Sequence, residues 1–476
     1  MKILFLVPPE SITLESSVPK MLEGGKGFYP KLGLMYVAAY YERITGDTPV
    51  FVDCPPEQYD EEEMLAKVEE VQPDMVAMSI MTFNLLDALQ AASAIHSIRP
   101  NVKICLGGPH VNLYPRETLA LPYVDYVVFG EGEPIFTDLV ETLDGKGADS
   151  EDLASIAGLG WKRGDEIHVN PARTDLLDLN ELPFPARHLV DMSRYEHIIG
   201  EGGQFFTIQA TRGCPAACTF CDIRKTKFRE RTPENVVAEI EQMVERGVDD
   251  MFFVDDTITI NKKNLAATCD LIVKRGLKIN YKISARVDTV NPELLAALKR
   301  SGCYRIHYGI ESATQRLLDY LEKGQTLEKV NRACRWTREA GIGYFAYCMI
   351  GIPTETRDEM FATVDFVKQL KPDYAQFSVC TPYPKTELYF RMLSDGILPG
   401  DHWQGFAENP SADFKIRFFN KDFTDLDLRE LQDECHARFY RSPTYLMKQV
   451  FKIRSWADFT AKARMGTKIL TARMRI

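Results

Sequence analysis

Thr211-Arg212-Gly213-Cys214-Pro215-Ala216-Ala217-Cys218-Thr219-Phe220-Cys221 is the stretch that decides how this chain is read. Three thiols at x3 and x2 spacing on one loop can converge on one metal centre, and thiolates suit zinc or an iron–sulfur cluster. A structural zinc site wants four ligands, and no further Cys or His occurs in the forty residues after Cys221. Three cysteines on a four-iron cluster leave one iron open to a substrate or cofactor.

Outward from the loop, strand and helix patterns alternate through at least six units. Strands are predicted at 206–210, 250–254, 279–285, 305–310, 343–349 and 375–380, and helices at 233–246, 263–275, 292–301, 326–340 and 357–370. Such repeated units form a second parallel sheet, either open or a partial barrel. The first 145 residues alternate in the same way, with strands at 3–7, 49–53, 75–80, 102–107 and 123–129 and helices at 34–43, 61–71 and 85–98. This predicts a doubly wound, Rossmann-like parallel sheet, whose ligands lie beyond the carboxyl ends of its strands. Those ends are Pro8-Pro9, Asp53-Cys54, Ser79-Ile80-Met81-Thr82, Gly107-Gly108-Pro109-His110 and Gly130-Glu131-Gly132-Glu133. Between the units, 146–203 reads as a bridge. It holds a hairpin at 158–170 turning at Arg163-Gly164-Asp165, then a rigid Leu182-Pro183-Phe184-Pro185 connector. The division expected is therefore 1–145, 146–203, 204–390 and a helical region at 391–476.

A chain of 476 residues, 45% apolar and 26% charged, is a globular protein of two or three domains. It holds no run of about 18 apolar residues that would cross a membrane. The apolar run at 3–7 ends at Pro8-Pro9, too short for a signal peptide, so it is expected to be a buried strand. The eleven cysteines are scattered apart from the loop, which predicts a reducing cytoplasm. A net charge of −11 argues against nucleic acid as a partner.

That average hides a basic C-terminus. From Tyr440 onward nine Lys/Arg stand against Asp458 alone. Lys448, Lys452, Arg454, Lys462, Arg464, Lys468, Arg473 and Arg475 are interleaved with Leu446, Val450, Phe451, Trp456, Phe459, Ile469 and Leu470. A basic amphipathic helix of this kind can lie peripherally on the anionic inner membrane surface, or pack as a solvated helix on the acidic body.

With Phe220 just before its last cysteine, the loop resembles the signature of the radical S-adenosylmethionine (SAM) superfamily. The resemblance extends over about 204–390 and implies a partial (βα)6 barrel with a 4Fe–4S cluster on Cys214, Cys218 and Cys221. It implies that Asp255 and Asp256 hold the SAM amine and that Arg286 reaches its carboxylate. Glu311 and Ser312 would contact the ribose, Gly351 and Glu355 would lie beside the adenine, and Thr381-Pro382-Tyr383-Pro384 would close the sixth unit. Read singly, Asp255 and Asp256 can cap a helix, Arg286 can be an ion-pair partner and Gly351 can mark a turn. The implied chemistry is reductive cleavage of SAM to a 5′-deoxyadenosyl radical, with an electron donor such as flavodoxin or ferredoxin.

Residues 1–145 resemble the cobalamin-binding domain fused to many radical SAM enzymes, through Pro30-Lys31-Leu32-Gly33-Leu34 and the strand ends above. The resemblance implies cobalamin contacts at Ser79, Thr82, Gly107, Gly108, His110, Gly130 and Glu131. Many such domains carry Asp-x-His-x-x-Gly, whose histidine ligates cobalt. Here the loop reads Asp53-Cys54-Pro55-Pro56, so no histidine lower ligand is expected, and His110 is expected to line the nucleotide pocket. The reaction implied is methylation of an unactivated carbon in a hydrophobic substrate, a lipid, terpenoid or tetrapyrrole. The alternative within the family is a radical ring closure or rearrangement, as in the anaerobic magnesium-protoporphyrin ester cyclases. Outside it stand an iron–sulfur redox sensor or electron carrier, which has no use for an adenosine pocket, and a structural zinc protein.

Overall fold

The computed structural model describes residues 1–14, 27–147, 150–196 and 203–451. In the first sheet β1 (Ile3–Val7), β2 (Val50–Asp53), β3 (Met75–Ser79), β4 (Lys103–Gly107) and β5 (Tyr126–Val128) are parallel, in the order β2-β1-β3-β4-β5. β1 is buried along its whole length, as an apolar run covered on both faces must be. The order reverses between β1 and β3, the kind of switch point at which doubly wound sheets bind ligands. β5 is shorter than the predicted 123–129, because Tyr123 turns the chain with a φ of 64°.

The bridge is not wholly a connector. Its hairpin, β6 (Leu159–Arg163) and β7 (Glu166–Val169), pairs antiparallel with β5 and extends the first sheet. It covers an edge that would otherwise present unpaired backbone groups.

The second sheet is a half-barrel. β8 (Gln204–Ile208) is followed by a short ribbon, β9 (Thr211–Arg212) with β10 (Arg229–Glu230), that spans the cysteine loop. Then come β11 (Val248–Phe253), β12 (Asn280–Ala285), β13 (Cys303–Glu311), β14 (Gly343–Ile350) and β15 (Tyr374–Val379). β8 and β11–β15 are all parallel and pair in sequence order, leaving β8 and β15 as the two edges. Five of the six helices between strands β10 and β15 start behind Thr232, Asn261, Asn291, Thr326 and Thr356, whose side chains each accept a backbone N–H.

On β12 the hydroxyl of Tyr281 bonds to Ser301 at the end of a flanking helix, so its neighbours Lys282 and Ser284 face the concave side. That side is aromatic: the Lys282 ammonium lies 4.9 Å from the Phe252 ring and 5.2 Å from Phe205. His307 packs against Phe252, Phe345 and Tyr347.

Both barrel edges are closed by side chains. At β15 the Tyr440 hydroxyl donates to Ala375 O at 2.7 Å, Gln432 donates to Phe377 O at 2.9 Å, and His436 Nε2 accepts from the Phe377 N–H at 3.2 Å. His436 can accept there because Nδ1 faces the Gln432 carbonyl at 2.8 Å and carries the proton, and burial lowers its pKa to about 4. These three residues lie on the Asp425–Tyr440 helix of the C-terminal region.

At the other edge Arg187, from the bridge, donates to Thr207 O at 2.9 Å and pairs at 2.5 Å with Glu239, a fully buried carboxylate that also pairs with Arg231. Burial alone would raise the Glu239 carboxyl, but the two guanidinium charges outweigh it and hold its pKa below the ordinary value.

The basic C-terminal residues enter the described chain only at its end. Lys448 donates to Lys371 O and Pro372 O and pairs with Asp373 at 2.9 Å, so it packs on the barrel; 452–476 lie outside the described residues. No helix among the described residues is long and apolar enough to cross a membrane.

Glu239→Ala leaves two buried arginines without their shared anion. Chemical denaturation is expected to show a loss of about 3–5 kcal/mol, the range for breaking a buried pair from one side.

Candidate active site

The cysteine loop is pinned from several directions. Its ribbon joins residues 212 and 229. Within the loop the Thr226 hydroxyl accepts from the Cys214 N–H at 2.9 Å, and the Lys225 N–H donates to Ala216 O at 2.9 Å. The half-barrel grips it through Thr219, whose N–H donates to Leu321 O and whose carbonyl accepts from Leu388 N. Arg224 donates to Ala217 O and pairs with Glu322 at 2.8 Å. Gly213 has a φ of 84°, and a Cβ there would stand 2.4 Å from Lys227 O, so only glycine lets the loop fold back on itself.

Cys214 and Cys218 are buried, Cys221 is half-buried, and none of the eleven cysteines is in a disulfide. Arg286 donates to the Cys218 sulfur at 3.3 Å, a cation placed to offset thiolate charge. Burial pushes the Cys221 thiol up to about 12, so binding a metal there must displace a proton. Among the described residues no three His, Cys, Asp or Glu side chains close on a point where a single ion would sit. A four-iron cube gives each sulfur its own iron and so takes ligands set wider apart.

The residues predicted around SAM separate into two groups. Asp256, Arg286 and Glu311 border the loop, and Phe220 belongs to it. Asp256 is exposed and accepts the Gly213 N–H at 3.2 Å. Arg286 is also chelated by Asp288 at 2.9 and 3.0 Å. Glu311 ends β13 with a φ of 65° and pairs at 2.7 Å with Lys323, whose ammonium lies 5.5 Å from the Phe220 ring. Gly309 is glycine for this pair, since a Cβ would meet the Glu311 carboxylate at 2.4 Å.

Asp255, Ser312, Gly351 and Glu355 are tied into the frame. Asp255 is buried and accepts from the Ala210 N–H at 3.0 Å, the Thr211 hydroxyl at 2.6 Å and the Thr211 N–H, closing the turn that leads into the loop. Burial raises its pKa to about 7. Ser312 is buried against Thr363 and accepts from the Thr314 N–H. Gly351, with a φ of 72°, makes room for Leu428, which a Cβ would meet at 2.8 Å. Glu355 accepts from the Ile352 N–H at 3.1 Å, and burial raises its pKa to about 8.

Thr219, Asp255, Gln325 and Glu355 each keep a buried oxygen without a partner among the described residues. Such orphaned acceptors at the barrel mouth fit a polar ligand there. The free thiols and the adjacent guanidinium fit a cluster.

At the ends of the first sheet, His110 is fully buried, with Nδ1 3.0 Å from the Thr82 hydroxyl. Its Nε2 and the Tyr114 hydroxyl are buried without partners among the described residues, polar atoms that suit an amide- and phosphate-bearing ligand. Burial holds His110 down at about 4, so it stays neutral. Gly108, with a φ of 96°, lies where a Cβ would overlap Ser79 Oγ at 2.7 Å, and Ile80 N bonds to Gly107 O at 2.8 Å. Asn112 Oδ1 accepts the Gly130 N–H at 2.8 Å. Glu131 points to the second domain instead, where Arg212 and Arg229 hold it. At the end of β2, where the histidine motif would fall, a buried Asp53 accepts from the Tyr195 hydroxyl at 2.8 Å. The chain after β15 meets this end of the first domain through Tyr383 against Phe83, Lys385 over the Tyr114 ring at 4.3 Å, and Gln404 on Glu117 at 2.7 Å.

Lys323, Arg212 and Arg229 were missed by the sequence reading. Arg212 lies two residues before the first cysteine, and Lys323 in the polar run Glu322-Lys323-Gly324-Gln325. Only Arg212 carried a signal, its place beside the cysteine motif, because the partners of all three lie elsewhere in the chain.

Gly213→Ala is expected to lower iron and sulfide per chain after anaerobic reconstitution while leaving the far-ultraviolet circular dichroism intact; unchanged iron content would show that the loop tolerates the side chain. Glu355 has its pKa raised from 4.5 to about 8 on folding, so native stability falls as pH climbs between those values. Glu355→Gln cannot ionise, and its Tm relative to the parent is expected to be higher at pH 8 than at pH 5.

Residues 208–367 match the radical SAM superfamily and residues 23–140 the B12 binding domain. An uncharacterised methyltransferase of Pyrococcus horikoshii is 32% identical over 457 residues, 95% of each chain. The anaerobic magnesium-protoporphyrin IX monomethyl ester cyclase of Cereibacter sphaeroides is 30% identical over 381 residues, covering 78% of this chain and 61% of that one. The solved structure of the radical SAM methyltransferase TsrM of Kitasatospora setae, with cobalamin and a 4Fe–4S cluster bound, shares the fold with a TM-score of 0.73 at 17% identity, over 99% of this chain and 100% of that chain. The cofactors the resemblance implies, a 4Fe–4S cluster, SAM and cobalamin, are those of the two matched families. On these matches the chain belongs to the radical SAM superfamily, among the enzymes that carry a B12-binding domain ahead of the barrel.

Proposed function

We propose that this protein is a cobalamin-dependent C-methyltransferase acting on an unactivated carbon of a hydrophobic substrate of the lipid, terpenoid or tetrapyrrole class. The observation that carries the reading is the contact between the domains on both sides of the two sites. The barrel mouth and the strand ends of the first sheet face one another, joined on one side by Arg212 with Glu131 and Glu133, and on the other by Gln404 with Glu117. Groups held at the cysteine loop and beyond β3–β5 would then meet at one interface between the domains, and excluding water there is what radical chemistry requires.

When bound, the cluster with SAM supplies a hydrogen-abstracting radical and cobalamin supplies the methyl group. Cys214, Cys218 and Cys221 hold the cluster, and Arg286 offsets charge at Cys218. Asp256 reaches the SAM amine, the Glu311–Lys323 pair and Phe220 border the ribose, and Gly351 and Glu355 shape the turn beside the adenine. Asp255 and Ser312 brace this wall. His110, Thr82, Ser79, Gly107, Gly108 and Gly130 line the corrin's nucleotide pocket.

The aromatic concave face of Phe252, Phe345 and Tyr347 supports an apolar, extended substrate. The name of the Cereibacter relative puts tetrapyrroles first among the classes to test. Its 30% identity also favours ring closure as the second reading. The free cysteines support a reducing cytoplasm, with flavodoxin or ferredoxin as electron donor. The basic residues of 452–476 support contact with an anionic membrane surface, where such substrates partition.

The test supplies anaerobically reconstituted protein with SAM bearing a trideuterated methyl group, hydroxocobalamin, titanium(III) citrate and magnesium-protoporphyrin monomethyl ester, with lipid and terpenoid substrates in parallel. Methylation yields 5′-deoxyadenosine, S-adenosylhomocysteine and a product carrying the label. A converted but unlabelled product, with no S-adenosylhomocysteine, would replace methylation by ring closure.

A further inference from the structure

Arg212 and Arg229 are register partners on the ribbon β9–β10. Like charges directly opposite on an antiparallel pair repel. This ribbon is only two residues long on each side, and the whole cysteine loop hangs between its strands.

The anions that reconcile the two cations come from the other domain. Glu131 lies 3.1 Å from Arg212 Nη1 and 2.5 Å from Arg229 Nη2, and Glu133 lies 2.6 Å from Arg212 Nη2. All four side chains are largely buried, at 17% exposure or less, so solvent screens the group weakly. Both carboxylates sit in the segment that follows β5 and opens the Gly132–Lys146 helix, whose positive end favours them. Leu177 N and O add bonds to Glu131 and Arg229, at 3.0 and 2.7 Å. The same segment begins at Gly130, beyond a strand end of the B12-binding domain.

We infer that Glu131, Glu133, Arg212 and Arg229 form a coupling bridge through which the corrin site and the cluster site stabilise each other. Arg212 and Arg229 are positioning residues: they act on the cluster through the ribbon that closes its loop. Cobalamin seated against the segment after β5 holds the two carboxylates in place, and these hold the ribbon shut. By thermodynamic reciprocity, a loop stiffened by its cluster raises the affinity of the first domain for cobalamin by the same factor. The inference rests on the proposed binding of cobalamin.

The experiment titrates hydroxocobalamin into the full chain, anaerobically, with the cluster reconstituted and without it, reading Kd from the visible spectrum. A Kd about tenfold lower in the cluster-loaded protein is expected, within the usual span of coupling between sites. Glu131→Gln with Glu133→Gln should bring the two values together, and Arg229→Lys, which keeps the charge, should preserve most of the difference. In the parent, the electron paramagnetic resonance signal of the reduced cluster should also shift when cobalamin is added, and in the double variant it should not. Equal Kd values in the parent overturn the coupling while leaving cobalamin binding intact. Failure of both forms to bind cobalamin overturns the functional reading and the coupling with it. Should the double variant not fold, the parent comparison and Arg229→Lys still decide, because loss of coupling in the lysine variant would show that its positive charge is not what carries it.

Discussion

A half-barrel has two open edges, and this molecule covers both without closing the cylinder. A full barrel removes edges by pairing its last strand with its first. Here β8 and β15 stay apart, which leaves the concave face open. The cover on β15 is a helix whose Tyr440, Gln432 and His436 imitate a neighbouring strand's donors and acceptor. The cover on β8 is the bridge, through Arg187. Because Arg187 shares Glu239 with Arg231, the residue just after β10, the arginine that protects the edge also anchors the return of the cysteine loop.

That economy explains why the motif residues fall into two kinds. A site that holds three sulfurs and a charged ligand in place needs a rigid wall, and the wall is built from buried polar residues as much as from apolar ones. Asp255 closes the turn before the loop by accepting three hydrogen bonds, and Glu355 closes the turn after β14. Both are buried where ionisation is costly, and each retains an oxygen without a partner among the described residues. Asp256, one residue further, is the exposed member of its pair. Alternation along the chain end at β11 thus assigns one of two adjacent aspartates to the frame and leaves the other exposed beside the cysteine loop.

The interface between the domains is likewise polar where it borders the site. Glu131 was expected to face the corrin, and the structure gives it to Arg212 and Arg229. Sequence reading could place this glutamate at a strand end of the first sheet, but not choose between a ligand on that side and a charge on the other domain. The cation that decides lies 81 residues away.

What the sequence alone determined is local. The cysteine spacing, the strand and helix periods and the Pro8-Pro9 stop were all readable, because each depends on residues within a turn or two of one another. The six βα units of the second sheet and the leading doubly wound sheet were legible for the same reason, since each βα unit carries its own pattern, whereas the choice of a half-barrel over an open sheet came only with the resemblance of the cysteine loop. The ribbon β9–β10 was not, as two residues are too few to show a period. Nor were the hairpin's membership of the first sheet, the pairing of Glu311 with Lys323, or the imidazole of His436 serving as a strand partner. Those depend on where the chain returns in space, and hydrogen bonds and ion pairs act between neighbours in space, whatever their separation in sequence.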